Sequence, residues 1–468
     1  MFKSFTIKNN NIHAGFRFEP SFYYYSTVLK NKNIQRGITF VKLDDLSEKI
    51  SDGEHSHIPR QKDIGIRYLY GRNIKEGVVN FDPISDDPYI SEDNYQFFKR
   101  THLKQNDILL TIVGTVGKSA VYKMEYIGKA GIPRHIAKIT LKKTSKITPE
   151  FITAFFRSKV GKWQLNNITT GNIQPFLSIK NIRTLDIPET KQSFIDEITD
   201  LERKAINNEI KALSLLEQAQ NIFYKKLDID FSKTEKENTF SVNLSDFAGA
   251  DLWTPVYSYP FYLNTLKAIQ RKWKTVPLGE IATVKKGDEV GSDNYNKYLD
   301  KKAGDIAFIR TSDLVNYEVD QFPDFYIPEE IYQELKQDIR AGDVLFTNDG
   351  KIGLAAILTP QDKVILQSHI KRIRLNKEAI GKYRFTQEYL FLVLTIKEVA
   401  RYQAERYTVI QSTIPTISNY ILDFEIPILD KISIDEITKL VKEAFELKNE
   451  KKKLINEVRE EIDNHFEI

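Results

Sequence analysis

The sequence contains no cysteine and only two methionines. Without thiols there are no disulfides, no Cys-ligated zinc, no iron–sulfur clusters and no cysteine nucleophile. No apolar run approaches the roughly 18–20 residues needed to span a bilayer. The opening MFKSFTIKNNNIH lacks the apolar core of a signal peptide, so a cytoplasmic protein is expected. A dominant charge is missing as well. The 68 Lys+Arg against 64 Asp+Glu leave a net charge of +4, which excludes a histone-like polycation but not local basic patches. What is present is enough apolar material for folded cores, 41% of 468 residues. At roughly 100–200 residues per domain, two to four domains are expected. The 28 Phe and 23 Tyr suit strand-rich domains or stacking surfaces.

The chain repeats itself. Phe18 falls on Trp253, Pro20 on Pro255 and Tyr24 on Tyr259, each at a shift of 235. YISEDNYQFFK from Tyr89 lies over YIPEEIYQELK from Tyr326, at 237. QNDILLTIVGTVG lies over AGDVLFTNDGKIG, which sets Asp107 on Asp343, Gly114 on Gly350 and Gly117 on Gly353. RHIAKITL lies over SHIKRIRL, with His135 on His369, and Pro188 falls on Pro427. The matches are collinear and far too widely spaced for a solenoid, so they mark a duplicated domain.

Each copy opens with short apolar runs broken by Gly, Asn, Asp and Pro. GIRYLY, DILLTIV and HIAKITL read as strands, as do DIAFIR, DVLFT and HIKRIRL. EFITAFFRSKVGKW and EYLFLVLTIKEVARYQ read as helices. Each copy closes with a stretch free of Gly and Pro, at 193–227 and 433–466. In the first, Ile195, Ile198, Leu201, Ala205, Ile206, Ile210, Leu213, Leu216, Ala219, Phe223 and Leu227 form an apolar stripe. In the second, Ile434, Ile437, Val441, Ala444, Ile455, Val458 and Ile462 keep heptad spacing, with Lys448 and Lys451 inside the seam. A helix of this length, about 50 Å, cannot bury its stripe alone. The two helices are natural antiparallel partners; packing of each on its own domain is the alternative.

The expected class is therefore α+β: two similar mixed domains separated by two long antiparallel coiled-coil helices. The divisions are 1–188, a first mixed domain; 189–227, a central helix; 228–239, a polar linker; 240–428, a second mixed domain; and 429–468, a final helix. Two similar lobes on a stiff rod suit a periodic, extended ligand. Duplex DNA is one, since sites about one turn (~34 Å) apart present the same face. The alternative is a non-catalytic tandem scaffold that binds peptide or glycan ligands and protein partners.

This layout resembles the specificity subunit of Type I restriction–modification systems. The resemblance rests on DGEH and SHIP at 52–59 with IRYLYGRNI at 66–74, and on NDILLTIVGTVGK at 106–118. It also rests on TTGNIQPFLSIKNIRTLDIP at 169–188 and VIQSTIPTISNYILDFEIP at 409–427, each leading into a long helix. It covers nearly the whole chain, and its force lies in the order and duplication of individually loose motifs. The second domain departs from it, with KKGDEVGSDN at 285–294 where the first has its DGEH loop. The resemblance implies a chain with no catalytic site that binds a bipartite double-stranded DNA sequence. Its helices would set the gap and dock two adenine-N6 methyltransferase subunits. Two restriction subunits that translocate DNA could then join. S-adenosylmethionine, ATP and Mg²⁺ would belong to those partners, with no cofactor or metal on this chain.

Loop position and this pattern together select candidate DNA-contacting residues. In the first half they are His55, His57, Arg60, Arg72, Asn73, Lys118, Arg134, Asn172 and Gln174. In the second they are Arg310, Ser312, Asn348, Lys351, His369 and Gln411. Such side chains reach phosphates or base edges, although a solvated turn residue looks the same in sequence. Catalytic patterns fail on inspection. GTVGKS at 114–119 has Ile112 where a phosphate-binding loop needs its first glycine. DDPY at 86–89 has one proline where an adenine methyltransferase has two. Asp324 and Glu334 imitate nuclease carboxylates, but Glu334 falls on Phe97 in the other copy. His55 and His57 lack a third metal ligand in register. Gly114, Gly117, Gly350 and Gly353 read as turn formers.

Overall fold

The computed structural model describes residues 30–61, 64–75, 77–79, 89–171, 174–233, 236–237, 239–244, 252–289, 305–411 and 413–466. Phe18, Pro20 and Tyr24 of the repeat, and residues 290–294 of the 285–294 loop, lie outside them. The chain forms two compact units. One comprises Met1–Glu209 with Glu450–Ile468, and the other Ile210–Asn449. Each unit therefore contains half of each long helix.

In the first unit a six-stranded sheet runs Ser47–Asp52, Ile136–Leu141, Ile108–Thr111, Ser119–Val121, Gly77–Val79 and Ile74–Lys75. The strand Ile108–Thr111 is buried along its whole length because both faces of the sheet are covered. Period two sorts its side chains. Ile108 and Leu110 enter a core with Phe151, Phe155, Ile198 and Ile462. Leu109 enters another with Leu69, Tyr122 and Ile136 on the opposite face. A small sheet pairs Ile66–Tyr68 with Tyr89–Ile90 and Ala130–Gly131.

The second unit repeats the pattern. Its sheet runs Ala282–Lys286, Ile370–Leu375, Val344–Thr347 and Ala355–Ile357. Val344 and Phe346 face one core and Leu345 the other. Its small sheet pairs Ile306–Ile309 with Tyr326–Ile327 and Val364–Leu366. The strand pair Leu314–Val315 and Glu318–Val319 forms a separate two-stranded sheet, whereas its counterpart in the first unit joins the main sheet.

The repeat extends to caps. Thr148 accepts from Phe151 N at the start of Pro149–Arg157, and its hydroxyl meets Thr199 at 2.7 Å. Thr386 accepts from Tyr389 N at the start of Gln387–Thr395, and meets Thr438 at 2.7 Å. The helix expected over 150–163 breaks at Ser158, whose side chain caps a new helix, Lys159–Ile168. Its counterpart breaks at Ile396 into a wide π-turn, Lys397–Arg401, and a short helix, Tyr402–Arg406. Helix Pro260–Lys272 was not expected; it buries Phe261, Thr265 and Ile269 one turn apart.

The long helices are Gln192–Leu227 and Lys431–His465. In the first unit Ile195 and Ile198 share a core with Val458, Ile462 and Phe466. In the second, Ala212, Leu216, Phe223 and Leu227 share one with Ile434, Ile437, Val441 and Ala444. The start of one helix thus meets the end of the other, so the pair is antiparallel. The lysines in the seam are fully paired. Lys451 meets Glu209 at 2.7 Å, and Lys448 meets Glu318 at 3.4 Å, all four buried.

Candidate nucleic-acid interface

The selected residues of the first unit lie on segments in direct contact. The Glu54 carbonyl accepts from Arg134 N at 2.9 Å, which joins the 54–60 loop to Arg134. His55 and His57 are exposed on that loop. His55 Nε2 lies 2.7 Å from Asp52, which Arg100 also holds. Burial pushes the Asp52 carboxyl up, but hydrogen bonds from Arg100 and His55 outweigh it and hold it below the usual carboxylate range. Arg60 is fixed flat. Its guanidinium sits 3.9 Å from the Tyr68 ring centroid, Nε donates to the Tyr70 hydroxyl at 2.9 Å, and an η-nitrogen donates to the Ile58 carbonyl. Burial raises the Tyr68 hydroxyl to about 12, so it stays neutral under that cation.

The turn Gly71–Asn73 follows. Arg72 is exposed and lies over Tyr70 at 4.8 Å. Asn73 is buried, and its side-chain oxygen accepts from Tyr70 N at 2.6 Å; it builds the turn from inside. Lys118 is half-buried at the end of a turn in which Gly114 and Gly117 have φ of +77° and +89°. Gln174 is exposed in the hairpin that bridges to Val113 through Phe176. Asn172 lies outside the described residues.

The second unit builds the matching turn with different residues. Asp313 accepts from Arg310 N at 2.9 Å, as Asn73 does from Tyr70. Arg310 stacks on Phe325 at 3.9 Å and pairs with Asp313 and Asp324. Asp324, once a nuclease imitation, is thus a partner of this arginine. Ser312 is exposed beside it, and Lys351 is half-buried in the turn after Thr347. Asn348 is buried and donates to Asp349 at 2.6 Å. His369 is partly exposed, with Nδ1 2.7 Å from Asp349. Gln411 belongs to the strand Val409–Gln411, but its side chain lies outside the described residues.

Sequence reasoning passed over Tyr68, Tyr70, Phe325, Asp349 and Thr416, which position the selected arginines and His369. The signal for Asp349 was available: its counterpart in the other copy is Val113. Among the described residues no three His, Cys, Asp or Glu side chains are grouped to hold a metal, and no helix is long and apolar enough to cross a membrane.

Residues 270–457 match the family model described as the Type I restriction modification DNA specificity domain. That segment covers most of one copy of the duplication, and the other copy repeats its sheet order and caps. Residues 270–457 therefore carry a DNA specificity domain of the Type I restriction–modification kind. Among solved structures, the Type I S subunit from M. genitalium matches at 12% identity and a TM-score of 0.33. It covers 92% of this chain and 94% of that one. The HsdS subunit from Thermoanaerobacter tengcongensis matches at 14% identity and a TM-score of 0.27, covering 92% and 96%. No curated protein matches the chain. A Type I specificity domain confers DNA sequence specificity and is non-catalytic. In such systems methylation is done by partner subunits.

Proposed function

We propose that this specificity subunit reads a bipartite DNA target, one short word per unit, and that the paired long helices set the gap between the words. The duplication carries this reading: two copies share one turn-and-hairpin framework but present different side chains, as two different words require. The helices dock two adenine-N6 methyltransferase subunits, and two restriction subunits can join them. S-adenosylmethionine, ATP and Mg²⁺ reside on those partners, in the cytoplasm.

Co-expression with Type I methyltransferase subunits, followed by sequencing of methylated sites, tests the reading. A split motif with a constant gap is expected; a continuous motif contradicts it. Binding of the assembled complex to its target should also weaken steeply between low and moderate salt, because phosphate contacts release counterions. A peptide or glycan reader would barely respond.

A further inference from the structure

At one turn the two units share a backbone and differ in chemistry. Gly114 N donates to the Pro175 carbonyl at 3.1 Å, and Gly350 N to Pro415 at 2.8 Å. Leu177 N donates to Ile112 at 2.9 Å, and Ile417 N to Asn348 at 3.1 Å. On this common frame the first unit carries Ile112, Val113 and Phe176. The second carries Asn348, Asp349 and Thr416.

Asp349 organises the polar version. It accepts from Thr416 Oγ1, from Asn348 Nδ2 at 2.6 Å and from His369 Nδ1 at 2.7 Å. Burial pushes its carboxyl up, but these hydrogen bonds outweigh burial and hold it below the usual range. A carboxylate in this place makes Nδ1 of His369 the protonated nitrogen. Nε2 makes no hydrogen bond to any described residue, and the His369 side chain is 33% exposed. The arrangement also costs stability, since the buried Asn348 Oδ1 has no partner among the described residues. The first unit builds the same turn from apolar side chains. His135, at the aligned position, faces no such carboxylate, because Val113 stands in its place.

We propose that His369, set by the positioning residue Asp349, reads one base edge in the half-site of the second unit through Nε2. In the neutral ring Nε2 accepts, which matches the exocyclic amine of adenine or cytosine in the major groove. A fixed, recessed ring suits base discrimination, whereas a phosphate contact needs only a mobile charge. Among the described residues the first unit has no equivalent reader at this turn.

The inference rests on the bipartite DNA reading above. The test uses the full chain co-expressed with methyltransferase subunits, with sequencing of methylated sites for wild type, H369A, H369Q and D349V. H369A is expected to relax one position of one word about tenfold and leave the other word intact. D349V, which installs the residue of the first unit, is expected to relax that same position. If H369A fails to accumulate, H369Q carries the test, because its side chain loses the orientation that Asp349 imposes. An unchanged motif in the histidine variants, or methylation weakened equally at every position, overturns the inference alone. A wild-type complex that marks no defined sequence overturns the underlying reading too.

Discussion

The two units solve one folding problem with different side chains. Both start the helix behind the main sheet with a threonine cap, Thr148 or Thr386, and use that hydroxyl to hold a long helix. Both close the turn before the second small-sheet strand with a side-chain cap to backbone nitrogen, Asn73 to Tyr70 and Asp313 to Arg310. Both hold an arginine flat on an aromatic ring, yet Arg60 arrives from the loop before its strand and Arg310 from the end of its own. The framework is shared because the same backbone groups need satisfying in each copy. The presented residues differ because nothing in the fold constrains them.

The comparison can be broken most severely in the helix seam. In the first unit Glu209 and Lys451 are buried at 2.7 Å, and in the second Lys448 and Glu318 are buried at 3.4 Å. Removing one partner strands a buried charge, which costs about 3–5 kcal/mol. E209A should therefore lower the urea midpoint more than any loop variant, and more than E318A, whose pair is longer. Replacing Glu209 and Lys451 together by leucine should recover most of the loss.

A smaller effect is expected at the turn that distinguishes the units. D349V leaves Asn348 and Thr416 without their acceptor and should cost roughly 1–3 kcal/mol. The triple change N348I, D349V and T416F converts the turn to the residues of the first unit. It should return stability to within about 1 kcal/mol of wild type, since the apolar replacement strands no fully buried polar group and leaves only the partly exposed His369 ring to be met by water. Urea unfolding of both variants checks this. A triple variant less stable than D349V would mean that the two turns are not interchangeable frames.

The smallest effect concerns acid. Asp430 accepts from Ser433 N at 3.1 Å at the start of the final helix and pairs with Lys226 at 2.7 Å. The Lys226 hydrogen bond, together with those from Ser433, holds its carboxyl down at about 2. A depressed value means that its contribution is present above the ordinary 3.8 and is lost as pH falls toward 2. The group is exposed and screened, so about 0.5 kcal/mol is expected. In the first unit Lys191 occupies the aligned position, so no matching loss should arise there. Unfolding of D430N at pH 7 and pH 2.5 measures it: the variant should fall below wild type at the higher pH and approach it at the lower.

Much of this was legible in the sequence. The long helices lack Gly and Pro and carry a stripe that the structure buries, from Ile195 to Leu227 except for the half-buried Leu201, Ile210 and Leu213, and from Ile434 to Ile462. The glycines at 114, 117, 350 and 353 all have positive φ. The breaks at Ser158 and Ile396 were not legible, because local propensity continues across them and only capping and packing interrupt the helix. The candidate site was legible as loops but not as roles. Asn73 and Asn348 look like reachable amides in sequence, yet both are buried and satisfy the turn from within. His369 is held by Asp349, which Thr416 holds in turn; these residues are far apart in sequence, and only the fold brings them together.

The most direct test is a matched insertion of one heptad into both long helices, with methylated sites sequenced beside wild type. Each helix would lengthen by about 10 Å, or about three base pairs of duplex. The expected result is two unchanged words with a gap longer by that amount. An unchanged gap, or altered words, would contradict the account.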